Sequence, residues 1–155
     1  MKVETLFSTP IYTEVLSDTS EKTLSKYVAD FTKLFYRDWQ KSMHIESVEH
    51  TIPKGERLLV SGTVTVHINC VVFDSGGGDL LLIDPRGGIN WNGTDEGENL
   101  NLKFHRIKAE PNRVVIFPTY VLFETDINRS VEQQRLRLST YAVLATTIFN
   151  KPLVD

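Results

Sequence analysis

Short β-forming segments separated by turn residues fill most of the chain after residue 57, and they constrain the fold more than any other feature. The segments are rich in Val, Ile, Leu and Thr, and clusters of Gly, Pro, Asn and Asp separate them. The main ones are RLLVSGTVTVHINCVVF, LLLID, LKFHRIKAE, VVIFP, TYVLFETDI and RLRLSTYAVLATTIF. About seven or eight short strands after one helix predict a mainly β protein: a sandwich, a jelly roll or a barrel-like β-helix.

The single strong helix signal precedes these strands, in the stretch SDTSEKTLSKYVADFTKLFYRDWQKS. Its apolar residues recur at steps of three and four, which predicts one buried face. They are Leu24, Tyr27, Val28, Phe31, Leu34, Phe35 and Trp39. Asp18, with Glu21 three residues later, is a candidate start signal. We therefore predict one long N-terminal helix that packs outside a sheet, within a single domain spanning residues 1–155.

Composition excludes several classes of protein. The net charge is −3, from 17 basic and 20 acidic residues, and no basic stripe is visible, so we expect no nucleic-acid partner. No apolar run approaches the roughly 18 residues of a membrane span, and the N-terminus lacks a signal-peptide core, so we expect no membrane partner and a cytoplasmic location. The single cysteine, Cys70, lies in an apolar strand and is interpreted as a small buried hydrophobe.

The four histidines, His44, His50, His67 and His105, are the candidate metal ligands. A facial triad for non-haem Fe(II) combines two histidines with one carboxylate, and a His-x-acid pair on a strand points both side chains to one face. His44 and Glu46 fit that spacing, whereas His50 is followed two residues later by Ile52. No zinc motif or nucleophile elbow is present, and DSGGGD (residues 74–79) reads as a β-turn because no GK[ST] follows it.

Arg135 and Arg137 alternate with leucines in the RLRLS segment and share one face of the predicted strand. Arginines that point into a β pocket can bind a carboxylate through two parallel hydrogen bonds. The alternative is a solvated strand face, with Leu136 and Leu138 directed to the core.

Three ordered landmarks resemble the small 2-oxoglutarate/Fe(II) oxygenase-like proteins of phages and marine bacteria. LFSTPIY is similar to the family's LFPTPV opening, and SGTVTV with SGGGDLLLIDPRGG is similar to its SGVYYL and SGxLxFxDPR strands. KAEPNRVVIFPTYVLFETDINRSVEQQRLRLSTYAV resembles PKPGRLVLFPSWLxHxVxPN…ERISISFN. The resemblance covers most of the chain. It implies a double-stranded β-helix, which is a cupin-like jelly roll, with the helix packed outside.

The family's functional residues carry over only in part. Its HxHP metal motif corresponds to His50-Thr51-Ile52-Pro53, so the first histidine is kept and the second ligand position holds Ile52. The distal histidine position holds Phe123. The arginine that binds the co-substrate corresponds to Arg135, with Arg137 beside it on the same face. Glu124 and Asp126 lie near the lost position and are candidates to replace the missing ligand.

Two main hypotheses follow from the resemblance. In the first, the chain is an active oxygenase that uses Fe(II) and 2-oxoglutarate, with iron on His50, or on His44 with Glu46. In the second, metal-dependent catalysis is impaired or lost, no cofactor is needed, and the fold is a module for binding a small carboxylate or for assembly. A viral structural jelly roll is a third, weaker idea. A homodimer is plausible because exposed sheet edges need cover, and a phage-encoded protein would reside in the host cytoplasm.

Overall fold

The computed structural model describes residues 3–6, 9–33, 44–60, 67–83 and 104–142. These residues form ten strands and one helix. In chain order the elements are β1 Val3–Leu6, β2 Thr9–Val15, α1 Glu21–Thr32, β3 His44–Ile52, β4 Leu59–Val60, β5 Ile68–Phe73, β6 Leu80–Ile83, β7 Phe104–Ile107, β8 Arg113–Pro118, β9 Leu122–Thr125 and β10 Gln134–Ala142. The polar stretch at residues 89–101 lies outside the described residues.

The strands form two antiparallel sheets whose order matches a jelly roll. The larger sheet has the order β1-β2-β8-β5-β10-β3, and the smaller sheet has the order β4-β9-β6-β7. The chain passes repeatedly from one sheet to the other, so that β5 pairs with β8 and β10 while β6 pairs with β7 and β9. The mainly β, jelly-roll architecture predicted from the sequence is confirmed at this level.

Two apolar clusters lie on the two sides of the larger sheet. The inner cluster joins residues of both sheets and fills the space between them: Ile11, Ile52, Val71, Phe73, Leu80, Leu82, Ile107, Ala109, Val115, Phe117, Val121, Phe123 and Leu136. The outer cluster lies between α1 and the larger sheet: Tyr12, Leu16, Leu24, Val28, Phe31, Ile68, Cys70, Val72, Val114, Ile116 and Tyr141. Every residue of β5 is buried because the strand is covered on both faces.

Helix α1 uses the apolar face that the sequence predicted, but it begins differently. Leu24, Val28 and Phe31 are buried against the sheet. The residue that caps the helix is Ser20, not Asp18, and its hydroxyl accepts a hydrogen bond from the backbone N–H of Thr23 at 3.4 Å. The Asp18 carboxylate instead accepts from the Ser20 backbone N–H at 2.9 Å and from the Thr23 hydroxyl at 2.6 Å. The predicted continuation through Leu34, Phe35 and Trp39 lies outside the described residues.

The glycine-rich DSGGGD segment is the turn between β5 and β6, and a buried glutamine holds it. The Gln134 side chain donates to the Gly78 carbonyl and accepts from the Gly78 N–H, both at 2.9 Å. A Cβ atom on Gly78 would lie 1.8 Å from the carbonyl oxygen of Asp126, so this position requires glycine. These contacts are with the protein's own groups, which supports the interpretation as a structural turn rather than a phosphate cradle.

Candidate functional site

Ile52 and Phe123, the positions that the resemblance aligns with two metal ligands, both belong to the inner apolar cluster. Ile52 ends β3 and is 3% exposed, and Phe123 lies in β9 and is 2% exposed. The Phe123 ring meets that of Phe117 edge to face, with centroids 5.3 Å apart. The aligned ligand positions are therefore occupied by packed side chains that have no lone pair for a metal.

His50 lies on the inner face of the larger sheet but at its edge. It is opposite Leu136 in the β3–β10 pairing, and opposed residues of antiparallel strands share a face. Since Leu136 belongs to the inner cluster, His50 points to the same side, where it is half-buried. The next inner-face residue along β3 toward the loop is Ile52, which has no lone pair for a metal.

Arg135 and Arg137 lie on the opposite, outer face of the larger sheet. Arg137 is opposite Val72, a residue of the outer cluster, and Arg135 is two residues away on the same face. Arg137 is half-buried and already engaged: its guanidinium lies 3.4 Å from the Asp74 carboxylate and donates to the Thr19 hydroxyl at 3.0 Å. Arg135 is exposed. The structure therefore separates both arginines from Ile52 and Phe123 by the thickness of the sheet.

The inner face of β10 carries Gln134, Leu136, Leu138 and Thr140, none of them cationic. Gln134 is fully buried, and both ends of its amide are used by Gly78. Thr140 donates to the Asn69 side chain at 2.9 Å. A carboxylate that entered between the sheets would thus meet no arginine from this strand.

The two acids considered as replacement ligands are also committed elsewhere. Glu124 is opposite Leu81 on the outer face of the smaller sheet and lies 3.9 Å from Arg57. Asp126 accepts from Arg106 at 3.1 Å. The backbone N–H of Ile127, followed by Arg106, holds the pKa of Asp126 below its ordinary value. Neither carboxylate replaces the missing ligand beside Phe123.

One imidazole that the sequence did not single out shares the face of Phe123. His105 in β7 is opposite Leu82 in β6, and Leu82 is opposite Phe123 in β9, so the three lie in one row on the inner face. No signal of spacing could have found this alignment, because it depends on the register of three strands. In the described parts of the chain, no group of three or more His, Cys, Asp or Glu side chains converges as a metal site.

Cys70 is inert. It is 1% exposed in the outer cluster, and burial raises the pKa of its thiol to about 12. A thiol with that pKa is protonated at neutral pH, which excludes it as a nucleophile in the folded protein. Within the described ranges, no helix has the length and apolar content needed to cross a bilayer.

No protein-family model and no curated protein sequence matches this chain significantly. Solved structures do. A prolyl-4-hydroxylase from Pseudomonas putida aligns over 83% of this chain and 69% of its own, with a TM-score of 0.55 and 10% identity. AviO1 from Streptomyces viridochromogenes Tue57 aligns over 80% and 58%, with a TM-score of 0.51 and 13% identity. An oxidoreductase of the 2OG-Fe(II) oxygenase family from Burkholderia pseudomallei aligns over 91% and 72%, with a TM-score of 0.52 and 11% identity.

At these identities the likeness concerns the fold. The chain spans about three fifths to three quarters of the length of these structures. It has a jelly roll like that of 2-oxoglutarate/Fe(II) oxygenases, and the described residues around Ile52 and Phe123 do not fit an iron ion.

Proposed function

We propose that this chain is an oxygenase-like double-stranded β-helix that has lost metal-dependent catalysis and serves as a non-catalytic binding or assembly module. The observation that carries the proposal is the burial of Ile52 and Phe123 in the cluster that fills the space between the sheets. A facial triad needs three lone-pair donors around one open site. At the aligned positions only His50 has one.

Packing makes the loss difficult to reverse locally. Space for an iron ion and its co-substrate beside Phe123 would require displacement of a ring that Phe117 and Leu82 enclose. Interiors are close-packed, so such displacement opens a cavity at a cost of about 20–30 cal/mol per Å³. The core is therefore built for stability at the place where the oxygenase chemistry would occur.

A small carboxylate remains a candidate ligand, but at the surface. Arg135 is exposed on the outer face, where solvent and salt screen its charge. We expect 2-oxoglutarate to bind there weakly, if the anion role predicted for this arginine holds. Titration of the wild type and of Arg135→Ala with 2-oxoglutarate tests that role, and equal heats from both proteins would exclude it.

The main experiment measures iron directly. The anaerobically purified protein is mixed with Fe(II) and 2-oxoglutarate, and bound iron, metal-to-ligand charge-transfer absorption and succinate are measured. The Pseudomonas putida prolyl-4-hydroxylase, treated identically, is the matched positive control. We expect no stoichiometric iron and no succinate above the protein-free rate. One bound iron per chain would overturn the proposal.

The active alternative rests on β3, where Glu46 and His50 occupy one face of the strand. Glu46 and His50 are four residues apart, about 13 Å along a strand, so they cannot share one ion. An active site would therefore need Glu46 with His44. If iron does bind, its loss in Glu46→Ala but not in His50→Ala would assign the metal to that pair.

A further inference from the structure

Strand β3 is an edge of the larger sheet and is exposed along most of its length. Strand β3 pairs with β10 along one of its edges. No strand among the described residues pairs with its other edge. Glu46, Ser47, Val48 and Glu49 are all exposed, and Val48 is 53% exposed despite being apolar. Within the described part of the chain, this nine-residue edge has no strand partner on that side, and such an edge is a template for another strand.

The residues of β3 complement one another when two copies of the strand pair antiparallel. A two-fold axis perpendicular to the sheet, passing through Val48, would place Val48 opposite its own copy and Glu46 opposite His50 twice. It would also place Ser47 opposite Glu49. Because Val48 is the midpoint of a strand running from residue 44 to residue 52, this register is also the one with full overlap.

Neighbouring registers are worse. An axis through Glu49 puts two carboxylates directly opposite each other, and an axis through Glu46 does the same. An axis through Ser47 places Ile45 opposite Glu49 and removes every Glu–His pair. In the register centred on Val48, the imidazole of His50 lies opposite the carboxylate of Glu46 at both ends of the pair. The two exposed Val48 side chains meet at the centre.

We infer that β3 is the interface of a homodimer, in which two copies pair antiparallel about Val48 and join their six-stranded sheets into one twelve-stranded sheet. The partner is a second copy of this chain because the charges and the length of β3 complement β3 itself. The inference goes beyond the proposed function and is independent of it, since an iron-binding chain could pair through the same edge.

Site-directed cross-linking tests the register. Opposed residues in an antiparallel pair have Cα atoms about 4.5–5.5 Å apart, within the range of a disulfide. Val48→Cys should therefore form a covalent dimer under mild oxidation, while Ser47→Cys and Glu49→Cys should link only when mixed with each other. The native Cys70 is buried and gives a clean background. The matched control is Leu59→Cys, which is 61% exposed on β4, an edge strand of the smaller sheet.

Sedimentation equilibrium tests the interface without a covalent bond. Val48→Lys should raise the dissociation constant of the dimer at least about tenfold, whereas Leu59→Lys should leave it unchanged. Glu46→Lys and His50→Glu should each weaken the dimer, and the double variant should recover it because the pairs are exchanged. Circular dichroism confirms that each variant is folded.

Three results would overturn the inference. The first is a wild type that is monomeric at about 100 µM. The second is equal cross-linking of Val48→Cys and Leu59→Cys, which indicates random collision. The third is a charge-exchanged double variant no tighter than its single variants. None of these outcomes depends on whether the protein binds iron.

Discussion

Replacement of Phe123 by alanine tests whether this position is part of the packed core. The side chain is 2% exposed and meets Phe117 edge to face at 5.3 Å. Truncation of a buried Phe to Ala costs about 3–5 kcal/mol, of which the aromatic pair accounts for about 0.5–1.5 kcal/mol. Since domains unfold at about 5–15 kcal/mol, we expect Phe123→Ala to remove roughly a fifth or more of the free energy of unfolding.

Urea denaturation followed by tryptophan fluorescence and circular dichroism measures this loss. The midpoint should fall strongly while the m-value stays constant, because the surface exposed on unfolding hardly changes. Phe123→Leu, which conserves most of the volume, should cost less than about 1.5 kcal/mol. Val131→Ala, at a side chain that is 86% exposed, should stay within about 0.5 kcal/mol of the wild type. A cost below about 1 kcal/mol for Phe123→Ala would refute the description of this position as packed core.

The other predictions concern a turn, a thiol and a carboxylate. Gly78→Ala should lower the free energy of unfolding by about 3 kcal/mol, because the added Cβ atom collides with the Asp126 carbonyl. In the same urea titration Gly76→Ala should cost far less, because the nearest neighbour of its Cβ atom would be 3.4 Å away. Cys70 should react with a thiol reagent only after denaturation, and rapid reaction of the folded protein would contradict its burial. The pKa of Asp126 is lowered by a backbone N–H and by Arg106, so its contribution to stability is present above the ordinary pKa of 3.8 and is lost as the pH falls through the lower folded value. The stability difference between the wild type and Asp126→Asn should therefore shrink as the pH falls below 3.8, and a constant difference would contradict this assignment.

Local sequence patterns predicted the buried elements of the fold better than its exposed edge strand. The helical spacing of Leu24, Val28 and Phe31 identified a buried face because burial of that face is what maintains the helix. The apolar runs of β5 and β8 were predicted as strands because their residues are almost all buried. Strand β3 was not recognised, because it is exposed along most of its length and its sequence, HIESVEHTI, lacks apolar alternation.

The candidate site shows a second limit of sequence patterns. Spacing placed Arg135 and Arg137 on one face of a strand, and that is correct. Which face points inward depends on packing, and here Leu136, between them, belongs to the inner cluster. A strand with alternating Arg and Leu follows the simpler rule, in which the apolar residue is buried and the charged residue faces solvent or an ion-pair partner.

The jelly roll and the iron chemistry are separable because they make opposite demands on the same positions. A metal site needs polar lone pairs and open space in the interior, both of which cost stability. The apolar side chains of Ile52 and Phe123 are buried in the core instead, and such burial is worth about 1.5–3 kcal/mol for each side chain. We therefore expect the packed core around positions 52 and 123 to be stable without a bound metal. Fold likeness to oxygenases is expected to outlast the reaction, and the side chains at positions 52 and 123 carry the information about function.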